Sequence, residues 1–305
     1  MLSNQRHYLL LLLFLPQVTG TAGQPARLTC KVDGLPIPSV KWTKGHGPLS
    51  REDRIVSTKV DPTTMIQELI FETVNAEDAA EYQAECSNFI GKDYADTELF
   101  IQVVPSFEKP LTDIEVIRDQ PFEIDTVVKG YPKPTVQWFK NGVEYEKIND
   151  FRLKTRLAIT EDRYISECRQ SIFEDHGEYS LTATNSAGSL KTSCTVTVYV
   201  PPRFVKKLSD VKTVIDTEHV FEIEVDGYPM PTMVFYKEGK PLKFDEHIRL
   251  EEVGEGKANL IFNKLRLKED TVKLSILAQN KVGRTWCEGS CTVQIPPYFS
   301  QEFEG

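Results

Sequence analysis

Residues 126–138 read TVVKGYPKPTVQW, and the chain carries that phrase two more times: CKVDGLPIPSVKW at 30–42 and IEVDGYPMPTMVF at 223–235. The three copies start at residues 30, 126 and 223, so the period is about 97 residues. A second shared block follows each: DAAEYQAECSNFIG at 78–91, DHGEYSLTATNSAG at 175–188 and DTVKLSILAQNKVG at 270–283. Order and spacing are kept, which is the signature of a repeat array in which each repeat is one small domain.

Between the blocks, apolar and polar residues alternate in short runs, as in Phe122-Glu-Ile-Asp-Thr-Val and Thr195-Val-Thr-Val-Tyr-Val, with Gly, Pro and Asn at the breaks. That is the period of half-buried strands. No helical period runs for ten residues. About a hundred residues of strands per repeat predicts an all-β fold of two-sheet sandwiches.

Cys30, Gly-x-Pro-x-Pro and Trp42, followed by Asp-x-Ala/Gly-x-Tyr and Ala-x-Asn-x-x-Gly, resemble the I-set immunoglobulin domain, and the resemblance covers roughly residues 20 to 298. It implies three tandem sandwiches in an elongated array. The expected divisions are 1–22, a signal-like apolar leader or truncated strand A; 17–104, 105–200 and 201–296, the three domains; and 297–305, the start of a fourth repeat. The resemblance makes Trp42, Trp138 and Phe235 the strand C core residues, Tyr82 and Tyr179 the corner tyrosines, and Cys30 a strand B core residue. Repeat 3 departs from the pattern, with Phe235 for Trp and Leu274 for the corner Tyr.

The B-to-F disulfide that the fold implies in an oxidising compartment has no complete pair here. Cys30 faces Ala84, Thr126 faces Leu181 and Ile223 faces Ile276. No disulfide is expected; Cys30 with Cys86, two residues beyond the partner position, is left open, since one step along a strand face is some 6–7 Å. Cys168, Cys194, Cys287 and Cys291 read as isolated strand thiols that pack as small hydrophobes. No Asn begins an Asn-x-Ser/Thr sequon. These features favour a reducing compartment.

The leader points the other way. Arg6, the apolar run Tyr8 to Pro16 and small Gly20-Thr21-Ala22 have the layout of a secretory signal, and the run is too short to span a bilayer. Yet Phe107 and Phe204 each precede their strand B position by the distance that separates Leu11 from Cys30, so the run occupies the place of the first strands. A cut near residue 22 would strip a sandwich of an edge. A truncated strand A is therefore preferred over a working signal, with the run either imitating a strand or forming a short helix off the domain. PPYFSQEFEG at 296–305 opens as repeats 2 and 3 do.

A net charge of −9 provides no footprint for nucleic acid. Gly-x-Gly-x-x-Gly, the phosphate loop, His-Glu-x-x-His and Gly-x-Ser-x-Gly are all missing from the sequence. Asp175-His176 reads as a solvated pair in a turn. No enzyme activity, catalytic residue, cofactor, metal or membrane span is expected. Within the I-set group the chain is similar to the tandem domains of the giant muscle proteins titin, twitchin and the obscurin class, through PPRFVKKLSDV, GYPKPTVQWFKNG and GYPMPTMVFYKEGKPL. The resemblance implies a semi-rigid scaffolding rod in the sarcomere, with myosin, actin or other sarcomeric proteins as partners. The alternative is a secreted or cell-surface adhesion or matrix protein.

Overall fold

The computed structural model describes residues 9–11, 17–45, 47–49, 55–61, 63–158 and 162–297. They form three β-sandwiches in sequence order. In repeat 2, Phe122–Tyr131, Arg163–Cys168 and Leu153–Leu157 make one sheet; Val143–Glu144, Thr135–Lys140, Gly177–Asn185 and Gly188–Lys206 make the other, with Ile114–Ile117 added in parallel. Repeats 1 and 3 follow the same plan. Among the described residues the only helices are three single 3-10 turns, at Ala76–Asp78, Tyr145–Lys147 and Phe173–Asp175.

Alternation fills each sandwich. The strand Phe122–Tyr131 buries Phe122, Ile124, Thr126 and Val128 and leaves the residues between them turned outward, as a period of two requires. Trp138 and Tyr179 share the repeat 2 core with Leu181, and Cys30, Trp42 and Tyr82 share the repeat 1 core with Cys86. Phe235 and Leu274 lie in the repeat 3 core. The Tyr82 and Tyr179 hydroxyls each donate to a backbone carbonyl four residues upstream, Asp78 and Asp175, at 3.0 Å. Leu274 cannot donate, and Thr271 Oγ1 instead donates to Leu267 O at 2.7 Å.

The pair read as solvated behaves otherwise. Asp175 is 0% exposed. It accepts from Arg152 Nη1 at 2.6 Å, Lys140 Nζ at 2.7 Å and Ile172 N at 2.9 Å. The reason is local: the turn needs an acceptor for Ile172 N, and that position faces the core end of the sheet, where a lysine two residues past Trp138 arrives. Asp78 with Lys44 and Asp270 with Lys237 repeat the arrangement, and His247 Nε2 stands 2.9 Å from Asp270 where repeat 2 has Arg152.

Leu9–Leu11 is extended and pairs antiparallel with Val32–Gly34, at the edge where a first strand belongs. Val18–Thr21 then runs parallel to Leu99–Gln102. For Leu9–Leu11 the helical alternative is therefore set aside; residues 1–8, 12–16 and 298–305, and with them the rest of the leader and most of the fourth-repeat segment, lie outside the described residues.

Trp138→Ala is expected to destabilise repeat 2 by about 3–5 kcal/mol, the cost of truncating a large buried aromatic; the free energy of opening of repeat 2, read by hydrogen exchange, checks it. Asp175→Ala is expected to cost about 3–5 kcal/mol at neutral pH, because Arg152 and Lys140 lose a fully buried counter-charge. Burial alone would push the Asp175 carboxyl up, but the hydrogen bonds from Arg152, Lys140 and Ile172 N outweigh it and hold the carboxyl below its usual range. Its contribution is complete above the unfolded value of about 3.9 and is lost as pH falls through the lower folded value. The gap between wild type and Asp175→Ala should accordingly close in strong acid.

Candidate functional site: the joints between repeats

Two strands belong to two repeats at once. Lys92–Lys109 is the last strand of repeat 1, and its end pairs with Phe122–Tyr131 of repeat 2, Val103 opposite Tyr131 and Phe107 opposite Val128. Gly188–Lys206 does the same onward, Val200 opposite Tyr228 and Phe204 opposite Val225. Neighbouring sandwiches are thus joined by continuous strand.

Each joint is closed by the same two residue types. Asn185 Nδ2 donates to Val103 O at 2.8 Å across the joint and to Pro132 O at 2.9 Å within its own repeat. Asn280 Nδ2 donates to Val200 O and Pro229 O, both at 2.9 Å. The tyrosine of Gly-Tyr-Pro supplies the ring. Gly130 and Gly227 lie at φ of +155° and +156°, and a Cβ there would come within 2.8 Å of Pro134 Cγ and 2.9 Å of Pro231 Cγ in their own repeats, with the upstream strand also close, Pro105 Cα at 3.3 Å and Val200 O at 3.2 Å.

The joints differ in what the tyrosine meets. Tyr131, 54% exposed, has one ring contact among the described residues, with Phe100 at 5.3 Å between ring centroids. Beside it opens a cleft of about 710 Å³ walled by Glu81, Asp96 and Glu98. Tyr228 packs against Phe173 at 5.2 Å, His176 at 5.5 Å and Tyr199 at 6.4 Å. Lys281 Nζ sits 3.6 Å from the Tyr199 ring centroid, and the Tyr199 hydroxyl donates to Glu115 Oε1 at 2.6 Å. Lys281 also bonds the Tyr199 hydroxyl and pairs with Glu115 at 3.4 Å. The Tyr199 hydrogen bond, with Lys281 beside it, holds the Glu115 carboxyl below its usual range.

Cys30, Trp42, Tyr82, Trp138, Tyr179 and Phe235 all lie inside sandwich cores, distributed over three separate clusters, and none reaches a joint. The six cysteines are buried thiols, and burial, with Cys86 nearby, pushes Cys30 up to about 11. The joint residues were missed, although Tyr131 with Tyr228 and Asn185 with Asn280 repeat in register inside the quoted blocks. Among the described residues no group of three His, Cys, Asp or Glu is placed to hold a metal ion, and no helix is long and apolar enough to cross a membrane.

The immunoglobulin I-set domain model matches residues 12–101, 105–198 and 202–294. Mouse hemicentin-1 is 27% identical over 287 residues, which is 92% of this chain and 5% of that protein. The muscle M-line assembly protein unc-89 of Caenorhabditis elegans is 28% identical over 279 residues, 89% of this chain and 3% of that protein. The chain therefore spans a small fraction of the length of these relatives. An I-band fragment of titin superposes with a TM-score of 0.72 at 23% identity, covering 94% of this chain and 98% of the fragment, a likeness of fold. With three consecutive matches that take in nearly the whole of its length, the chain belongs to the immunoglobulin I-set family.

Proposed function

We propose that the chain is a non-enzymatic, semi-rigid rod that binds other proteins in the sarcomere or cytoskeleton, with myosin, actin or another large filament protein as the partner class. The observation that carries this reading is the shared strand at each joint: a sheet that continues from one sandwich into the next limits swing, so the array keeps its direction and presents its faces at fixed spacing. Buried thiols, with Thr126 and Leu181, and Ile223 and Ile276, where a disulfide would sit, support a reducing compartment. The likeness to unc-89, by name a muscle M-line assembly protein, supports the sarcomeric setting.

A second reading, a secreted or cell-surface adhesion or matrix protein with a cleaved signal peptide, is favoured by Cys30 and Cys86 in one core cluster and has its relative in hemicentin-1. The mass of the protein expressed in its own cells separates the two. Six free thiols and no loss near residue 22 support the cytoskeletal rod; loss of about the first twenty residues with oxidised thiols contradicts it.

The stiffness of the rod has its own test. Tyr228→Ala removes the ring that packs on Phe173, His176 and Tyr199, contacts of about 0.5–1.5 kcal/mol each. It should broaden the interatomic distance distribution measured by small-angle X-ray scattering on the full chain, and by more than Tyr131→Ala does, while leaving the sandwiches folded.

A further inference from the structure

The turn before the corner position presents different side chains at the two joints. In repeat 2 the 3-10 turn Phe173–Asp175 and the residue after it bring Phe173 and His176 against Tyr228, so their rings fill the angle between the sandwiches. In register with them, the repeat 1 turn Ala76–Asp78 and the residue after it offer Ala76 and Ala79, both exposed. The cleft of about 710 Å³ opens there, between Ala79 and the Tyr131 ring. Space that two rings occupy at one joint is open at the other.

The walls of that cleft carry unbalanced charge. Glu81 stands directly opposite Glu98 on the adjacent strand, and Asp96 is the next residue along the same face. Like charges so placed repel. Asp96 accepts from Gln83 Nε2 at 2.8 Å and Glu98 from Gln17 Nε2 at 3.4 Å, yet none of the three carboxylates has an ion pair among the described residues. The other repeats balance this face from within the chain. Glu178, equivalent to Glu81, pairs with Lys191 at 3.3 Å; Lys273 and Glu288, at the positions of Glu81 and Asp96, pair with each other at 2.8 Å.

We propose, resting on the reading of the chain as a protein-binding rod, that this cleft docks an arginine side chain presented by a partner protein. Charge complementarity selects the occupant. The two positions that bridge in repeat 3 are both acids in repeat 1, so the group that joins them is a cation from outside the repeat. Shape selects a guanidinium over an ammonium. Tyr131 offers a ring face at the place where Tyr228 meets Phe173 and His176, and a flat guanidinium both stacks on such a face and donates through its fork to carboxylates. An apolar ring would fill the space but leave Glu81, Asp96 and Glu98 uncompensated. Held by the acids of repeat 1 and the tyrosine of repeat 2, the bound arginine ties the two sandwiches together, as the ring cluster around Tyr228 does at the second joint.

Isothermal titration calorimetry of the full chain at low salt with the peptide acetyl-Gly-Arg-Gly-Arg-Gly-amide tests this, beside the same peptide carrying lysine or uncharged citrulline in place of arginine. Saturable binding is expected for the arginine peptide, several-fold weaker binding for lysine and none for citrulline, and the affinity should fall as salt is raised. Glu81→Lys puts the repeat 3 residue beside Asp96 and should weaken the arginine peptide about tenfold, the loss of a charge-assisted contact. Ala76→Phe with Ala79→His, taken from the second joint, should close the cleft and weaken it as much. All three positions are exposed, so these variants keep the sandwich folded. A chain that takes up no arginine peptide overturns the proposal; if that chain is stiff by X-ray scattering and its thiols are free, the rod reading stands without it. Citrulline binding equal to arginine binding overturns it as well, as does binding that survives both Glu81→Lys and Ala76→Phe with Ala79→His.

Discussion

The last strand of each sandwich is already hydrogen-bonded into the next one before it ends, and the remaining features of the array follow from that sharing. Lys92–Lys109 and Gly188–Lys206 each serve two repeats, so there is no free segment in which direction could be lost. The cost is close approach of backbone to backbone, which Gly130 and Gly227 accommodate. The carbonyls of Val103 and Val200, displaced from a regular ladder by the change of sheet, are taken up by Asn185 and Asn280. A position that looks like turn punctuation within one repeat is a fastening between two.

Inside each sandwich, aromatic filling of the core is accompanied by one buried acid at the turn before the corner position. Asp78, Asp175 and Asp270 satisfy the backbone of the same turn and meet the same lysine from the opposite strand. A buried pair of this kind adds little over a hydrophobic substitute, but leaving one member alone is expensive, so it fixes the register of the turn more than it deepens the well. Repeat 3 keeps the acid and lysine while replacing Trp by Phe235, the corner Tyr by Leu274 and the arginine by His247. Its sandwich closes with the same topology.

The sandwich fold was legible because its causes are local and periodic: alternation places Phe122, Ile124 and Val128 on one face, and the repeated Trp and Tyr mark the centre. The joints were not, because Tyr228 finds Phe173, His176 and Tyr199 only once the angle between repeats is set, and nothing in a single repeat encodes that angle. Asp175-His176 misled for the same reason: polarity in a turn suggests solvent, but the turn sits where a core end and a neighbouring repeat meet. The apolar run at Leu9–Leu11 has no alternation to reveal a buried face, so its pairing with Val32–Gly34 is a property of the empty edge rather than of the leucines. The cleft at the first joint was equally hidden, since Tyr131 shares it with Glu81, Asp96 and Glu98 only when the two repeats are docked.

Amide hydrogen exchange across the joints measures the shared strand directly, because slow exchange requires a ladder that stays closed. In the full chain, the amides of Val103, Val104, Ser106 and Phe107 and of Val200, Arg203 and Phe204 should be protected to the same degree as the strands on either side of them, and far more than those of Leu35 and Ile37 in the loop between the first repeat's strands. Exchange in those two segments as fast as in that loop would mean that the repeats are tethered by open linkers, and would contradict the account of a continuous rod.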